Sequence, residues 1–156
     1  MKKISSILII IFIISSCKST KQVVTINNKH LKVDRIIQNA NYYKGTKYKF
    51  GGVTKKGMDC SGLVYVAFKK ENIMLPRVSR DMAMQGKTIP LRQVRKGDLL
   101  FFITGRKKRI SHVGLVTKKV KDEVFFIHAS SSRGVVISTM NEKYYKTRFV
   151  KAKRIL

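Results

Sequence analysis

A chain of 156 residues is long enough for one domain with a hydrophobic core and short for two. Apolar residues make up 44% of it, only two residues are proline and no low-complexity tract or internal repeat appears, which excludes a disordered or fibrous chain. The formal net charge of +26 attracts polyanions, and nucleic acid is the default partner only for a chain that stays in the cytoplasm.

The first element argues for export. Lys2 and Lys3 precede an uninterrupted apolar run, 7–14, followed by Ser15, Ser16 and Cys17. This is the pattern of a signal peptide over 1–16. As a helix that run covers roughly 12 Å, far short of the ~30 Å hydrocarbon core of a bilayer, so it is not read as a permanent span. Ile14-Ser15-Ser16-Cys17 resembles a lipobox, which implies cleavage before Cys17 and lipidation of its thiol. Residues 17–30 then read as a lipidated cysteine and polar tether, and 31–156 as the domain. Loss of Lys2 and Lys3 leaves 32 basic against 8 acidic side chains, a mature charge near +24. Outside the cytoplasm the abundant anions are phospholipid headgroups, lipopolysaccharide phosphates and peptidoglycan carboxylates, so nucleic acid drops out as the expected partner. With Cys17 lipidated, Cys60 is the one remaining thiol, free and without a disulfide partner.

From Leu31, the apolar positions Val33, Ile36, Ile37, Ala40 and Tyr43 recur at helical spacing and predict a helix over 31–43. A glycine-rich loop, 45–52, and a turn at Lys56-Gly57 lead into Met58-Asp59-Cys60-Ser61. The stripe Leu63, Val64, Ala67 and Phe68 predicts a second helix with Cys60 in its first turn. Ser79 is placed to cap a short third helix ending near Gly86.

Beyond Lys96 the pattern becomes that of strands, predicted over 98–103, 110–117, 123–129, 135–139 and 147–152. Helices first and an antiparallel sheet second define an α+β domain. The polar stretch 118–122 reads as a hairpin loop. Pairing centred on Val120 sets His112 opposite His128, and Gly114 opposite Phe126, with facing Cβ atoms about 4.5 to 5.5 Å apart.

A cysteine is a strong nucleophile only as thiolate, and with an ordinary pKa of about 8.5 it needs help at neutral pH. The helix start at Cys60 and an imidazole accepting the proton offer that help. His128, across the hairpin from His112, is placed to hold the other ring nitrogen and fix the tautomer, giving a Cys-His-polar arrangement. Asp59, Cys60, His112 and His128 lack the short paired spacings of a zinc site, so neither metal nor cofactor is expected.

Six segments in order, GTKYKFGG, MDCSGLV, LPR, KGDLLFF, ISHVGLV and FIHAS, resemble the NlpC-type family of papain-like cell-wall cysteine peptidases over about residues 36 to 156. ISTMNEKYYKTRF near the C-terminus is similar to the lipoprotein murein endopeptidases within that family. The resemblance implies a papain-like fold with N-terminal helices packed on a C-terminal antiparallel sheet. It implies Cys60 as nucleophile, His112 as base, His128 as the third polar residue and Tyr48 as an oxyanion contributor beside the Cys60 amide. Asp59, Ser61 and Arg77 fall at motif positions that border substrate. The implied activity is a peptidoglycan endopeptidase that forms an acyl-enzyme on Cys60. Its expected partners are stem peptides and, through the lipid, a membrane facing the periplasm in a Gram-negative cell; the domain is expected to be a monomer. The basic turn 105–109 departs from the family pattern.

Two other readings stand beside this one: an amidase or acyltransferase using the same residues on a different amide, and a non-catalytic wall-binding lipoprotein. Which bond is cut, the D-Ala to diaminopimelate crosslink or the D-glutamyl to diamino-acid bond, is left open by the residues.

Overall fold

In the computed structural model the described residues are 19–156, with side chains from residue 28 onward. The expected signal peptide over 1–16 and the expected lipidation at Cys17 lie outside them. Among the described residues no helix is long and apolar enough to cross a membrane.

Helix α1 runs Ser19–Asn41, so it begins twelve residues before the predicted start at Leu31. No glycine or proline interrupts 19–30, and helix propagates from a packed turn at little cost. Val33, Ile36 and Ala40 form its buried face, as the spacing predicts. The glycine-rich segment holds a small hairpin, β1 (Val53–Thr54) and β2 (Gly57–Met58). The following helix α2 is Cys60–Lys69. Helix α3 is a single turn, Ser79–Met82, in which Ser79 is the first helical residue and makes no cap; the cap position is Val78. Two elements that the pattern did not predict come next: the edge strand β3 (Lys87–Ile89) and a 3₁₀ turn, Leu91–Gln93.

The sheet is completed by β4 (Leu99–Phe102), β5 (His112–Val120), β6 (Glu123–Ser130), β7 (Gly134–Thr139) and β8 (Phe149–Arg154), with a one-turn helix α4 (Lys143–Lys146) before the last strand. The strand order is β3-β8-β4-β5-β6-β7, antiparallel throughout. This is the α+β arrangement expected, helices first and sheet second. One face packs on α1 and α2 through Phe101, Val113, Leu115, Ile127 and Ala129. The other carries a smaller core around Leu100, Phe102, Val116, Phe126 and Tyr145. All four residues of β4 are buried because both faces are covered.

The β5–β6 register corrects the pairing read from the sequence. The loop is only Lys121-Asp122, with Lys121 at φ +53°, and Val120 pairs with Glu123. Lys118 pairs with Phe125, but the next pair is Val116 with Phe126, so Thr117 is the extra residue of a β-bulge. Carried onward, the register sets Gly114 across from His128, and His112 is a diagonal neighbour of His128 rather than its direct partner. The bulge decides the chemistry: pairing run straight from the turn would leave His112 on the opposite face of the sheet from His128.

Candidate active site

Cys60 is the first residue of α2, and Asp59 before it is the cap, its carboxylate accepting from the Gly62 amide at 2.6 Å. Gly62 has to be glycine, because a Cβ there would lie 2.2 Å from the Gly52 carbonyl oxygen. That close approach holds the 51–52 loop against the helix start. The Asp59 carboxylate also accepts from the Gly51 amide at 2.8 Å and from both Arg77 terminal nitrogens at 2.8 and 2.7 Å. Arg77 Nη1 donates to Ser61 Oγ at 2.9 Å as well. Burial pushes Asp59 up, but the Arg77 guanidinium and the two amides outweigh it and hold the carboxyl below its usual range. Asp59, Ser61 and Arg77 are thus brought together, bonded chiefly to one another and bracing the loop beside Cys60.

The Cys60 side chain is 7% exposed, with Sγ donating to the Ser111 carbonyl at 3.9 Å. Burial pushes the thiol up; the Val113, Ser61 and Cys60 amides pull it down and Asp59 adds to the rise. The expected lowering by the helix start is therefore present but smaller than the desolvation that opposes it. His112 is buried and its pKa falls to about 4 for that reason. The resting site pairs a neutral thiol with a neutral imidazole.

His112 Nε2 lies 3.0 Å from His128 Nδ1, with the rings nearly perpendicular at 82°. His128 is fully buried. Burial, then His112 and Arg133, bring it down to about 2, so it stays neutral. Its Nε2 meets the Tyr145 hydroxyl at 3.1 Å and Ser138 Oγ at 3.2 Å. Arg133, which has only donors, gives Nη2 to Ser138 Oγ at 3.1 Å. Of the two tautomer chains these contacts allow, the one that leaves His112 Nδ1 as a free base has His128 Nε2–H donating to the hydroxyls and His128 Nδ1 accepting from His112 Nε2–H. Tyr145, Ser138 and Arg133 were not singled out in the sequence. The one signal there was a polar position, Ser138, directly after the apolar run Val135-Val136-Ile137.

Tyr48 is held by a bridge to Met58, whose carbonyl accepts from the Lys49 amide and whose amide donates to the Lys47 carbonyl. Burial, then Cys60 and Asp59, raise its pKa, so the hydroxyl keeps its proton and remains a donor. Two cavities, of about 370 and about 670 Å³, meet at Tyr48, Cys60 and Ser111, which line both. His112, Arg133, Glu142 and Tyr145 belong to the first; Phe50, Asp59, Arg77 and Arg109 belong to the second. The basic turn 105–109 therefore reaches the groove through Arg109. Among the described residues no group of three or more His, Cys, Asp or Glu is arranged to hold a metal ion.

The model of the NlpC/P60 family matches residues 45–154. The chain is 41% identical over 123 residues to the murein DD-endopeptidase MepS/murein LD-carboxypeptidase of Escherichia coli K12, a match covering 78% of this chain and 62% of that one. It therefore spans under two thirds of that relative's length. A probable endopeptidase of Haemophilus influenzae is 41% identical over 114 residues, covering 72% and 68%. Among solved structures, an NlpC/P60 family protein from Bacillus cereus superposes with a TM-score of 0.72 at 28% identity, covering 80% of this chain and 40% of the other.

Proposed function

Because the chain belongs to the NlpC/P60 family, we propose that it is a cysteine peptidase of the cell envelope, a peptidoglycan endopeptidase that hydrolyses amide bonds in stem peptides or their crosslinks. The observation that carries this reading is that His112, held from behind by buried His128 at 3.0 Å, lines one cavity with Cys60. As Sγ attacks the carbonyl carbon, its proton passes to His112 Nδ1, so no preformed thiolate is required. The imidazolium so formed is held by the neutral His128. The oxyanion accepts from the Cys60 amide and the Tyr48 hydroxyl. Collapse breaks the C–N bond, His112 gives its proton to the leaving nitrogen, and a thioester remains. Water, deprotonated by His112, then attacks the thioester carbon; the C–S bond breaks and the proton returns to sulfur.

His112 lines the first cavity and not the second, which orients the substrate. The leaving amine departs through the first cavity and the acyl portion lies in the second, against Asp59, Ser61 and Arg77. The chain reaches the envelope by its signal peptide, is anchored through lipidated Cys17, in a Gram-negative cell on the outer membrane facing the periplasm, and acts as a monomer.

Mass spectrometry of purified peptidoglycan after digestion tests the activity. The wild type is expected to release peptide-cleaved fragments, and Cys60→Ala to release none while melting at an unchanged temperature. Substantial release by Cys60→Ala overturns the cysteine mechanism.

A further inference from the structure

The first cavity carries two charged side chains on a wall that is otherwise neutral: Arg133 and Glu142. Both are anchored. Arg133 leaves the tight turn between β6 and β7 and donates to Ser138 Oγ at 3.1 Å; Glu142 accepts from the Thr139 amide at 3.0 Å. They face each other at 3.5 Å, with side chains 51% and 36% exposed. A loose, half-exposed pair adds little to stability, so folding gives it no strong reason to stand at the rim of a reaction groove. A guanidinium has five N–H donors in a planar fork, and Arg133 uses one edge on Ser138 and Glu142. The Tyr145 hydroxyl is a further partner of the guanidinium, and the rest of the fork's donors face the cavity for a ligand.

Resting on the proposed function, which sends the leaving amine into this cavity, we propose that Arg133 recognises a free carboxylate on the carbon that bears the leaving nitrogen, with Glu142 holding the guanidinium in place. That chemistry separates classes of bond. A crosslink from D-Ala to the side-chain amine of diaminopimelate has its nitrogen on a carbon with a free carboxylate. So does a C-terminal amino acid. The D-glutamyl to diaminopimelate bond has the corresponding carboxyl tied up in the amide to the following D-Ala, which offers Arg133 no anion. The site therefore directs the enzyme to crosslinks and terminal residues and away from the D-glutamyl to diaminopimelate bond.

The test uses soluble muropeptide dimers crosslinked from D-Ala to diaminopimelate, with the carboxylate beside the scissile nitrogen either free or amidated. The wild type is expected to cut the free form with a kcat/KM about tenfold or more above the amidated one, as loss of a charge-assisted contact implies. Arg133→Gln should bring that ratio close to one, chiefly by slowing cleavage of the free form, and Arg133→Lys should keep part of it. A role for Arg133 in bracing Ser138 and His128 alone would slow both substrates equally and leave the ratio intact, which overturns the proposal. A wild-type ratio near one overturns it without any variant. Cleavage confined to the D-glutamyl to diaminopimelate bond leaves the peptidase reading standing and removes this inference; no Cys60-dependent cleavage of either dimer removes both.

Discussion

The neutral state of Cys60 and His112 at rest sets how the reaction responds to pH and to changes in the histidines. In the proposed mechanism His112 has to gain and lose a proton in each turnover, and an amide side chain cannot do that near neutral pH. His112→Asn should therefore lose roughly 10²- to 10⁴-fold in kcat/KM, the range for a positioned general base. His128, held near 2 and uncharged, is asked only to accept a hydrogen bond, which an asparagine oxygen can do. His128→Asn should keep at least about ten times the activity of His112→Asn, a barrier difference of roughly 1.4 kcal/mol. Rates on one soluble muropeptide, with melting as the folding check, decide it; equal loss in both would give His128 more than a positioning role. The wild-type acid limb follows the same logic. The neutral form of His112 is the active one, so kcat/KM should fall as pH drops through about 4 rather than near 6.5. Cys60, His112 and His128 were legible in the sequence because a lone thiol and two imidazoles in strands are chemically unusual. Tyr145, Ser138 and Arg133 were not, since hydroxyls and arginines are common on any surface.

Elements fix the site through two close approaches and one irregularity. Gly62 lets α2 meet the 51–52 loop, and Gly114 lets β5 meet the Phe126 ring. A Cβ on Gly114 would lie 2.4 Å from Phe126 Cδ2, and that ring packs 5.1 Å from the His128 ring. Gly114→Ala should cost about 1–3 kcal/mol of stability through overpacking and lower the rate by shifting Phe126 against His128. Since the conflict is with one ring, Phe126→Leu should relieve part of it, making the double variant less unstable than the two single costs added. Urea melts of the four proteins measure this, and strict additivity would mean the strand, rather than the ring, takes up the strain. The irregularity is the Thr117 bulge. Sequence periodicity placed β5 and β6 correctly as neighbours, but a bulge leaves no mark in the alternation of apolar residues near a solvent-facing hairpin tip, so the predicted register missed it. His112 and His128 were still expected on one face, because the predicted and observed registers beyond the bulge differ by an even number of residues.

For the molecule as a whole, charge and the proposed lipid anchor would both draw the chain to a membrane surface. A net charge of +26 draws the protein to anionic surfaces whether or not it is lipidated, so membrane association alone does not establish an anchor. Salt separates the two, because at about 1 M the screening length shrinks to ~3 Å while an acyl chain stays buried. The processed wild type should remain in the membrane pellet through a high-salt wash, and Cys17→Ala should leave it. Retention of Cys17→Ala after the wash would refute the lipid anchor.

The sequence by itself determined the order of the first three helices and of the five strands that follow Lys96, the helix start at Cys60, the candidate nucleophile and base, and the α+β class, because each is written in local periodicity or in rare side chains. Only the tertiary structure decided the rest. It skipped Thr117 so that the core positions of β5 and β6 meet, covered both faces of the sheet, ran α1 back to Ser19, and brought β7 and α4 behind His128 with hydroxyls the chain spacing does not connect. It also opened the groove on two sides of Cys60, one against Asp59 and Arg77 and the other against Arg133 and Glu142. The physical reason is that register and groove arise from the packing of side chains far apart in the chain, and a local pattern contains no information about which of several compatible packings excludes the most water.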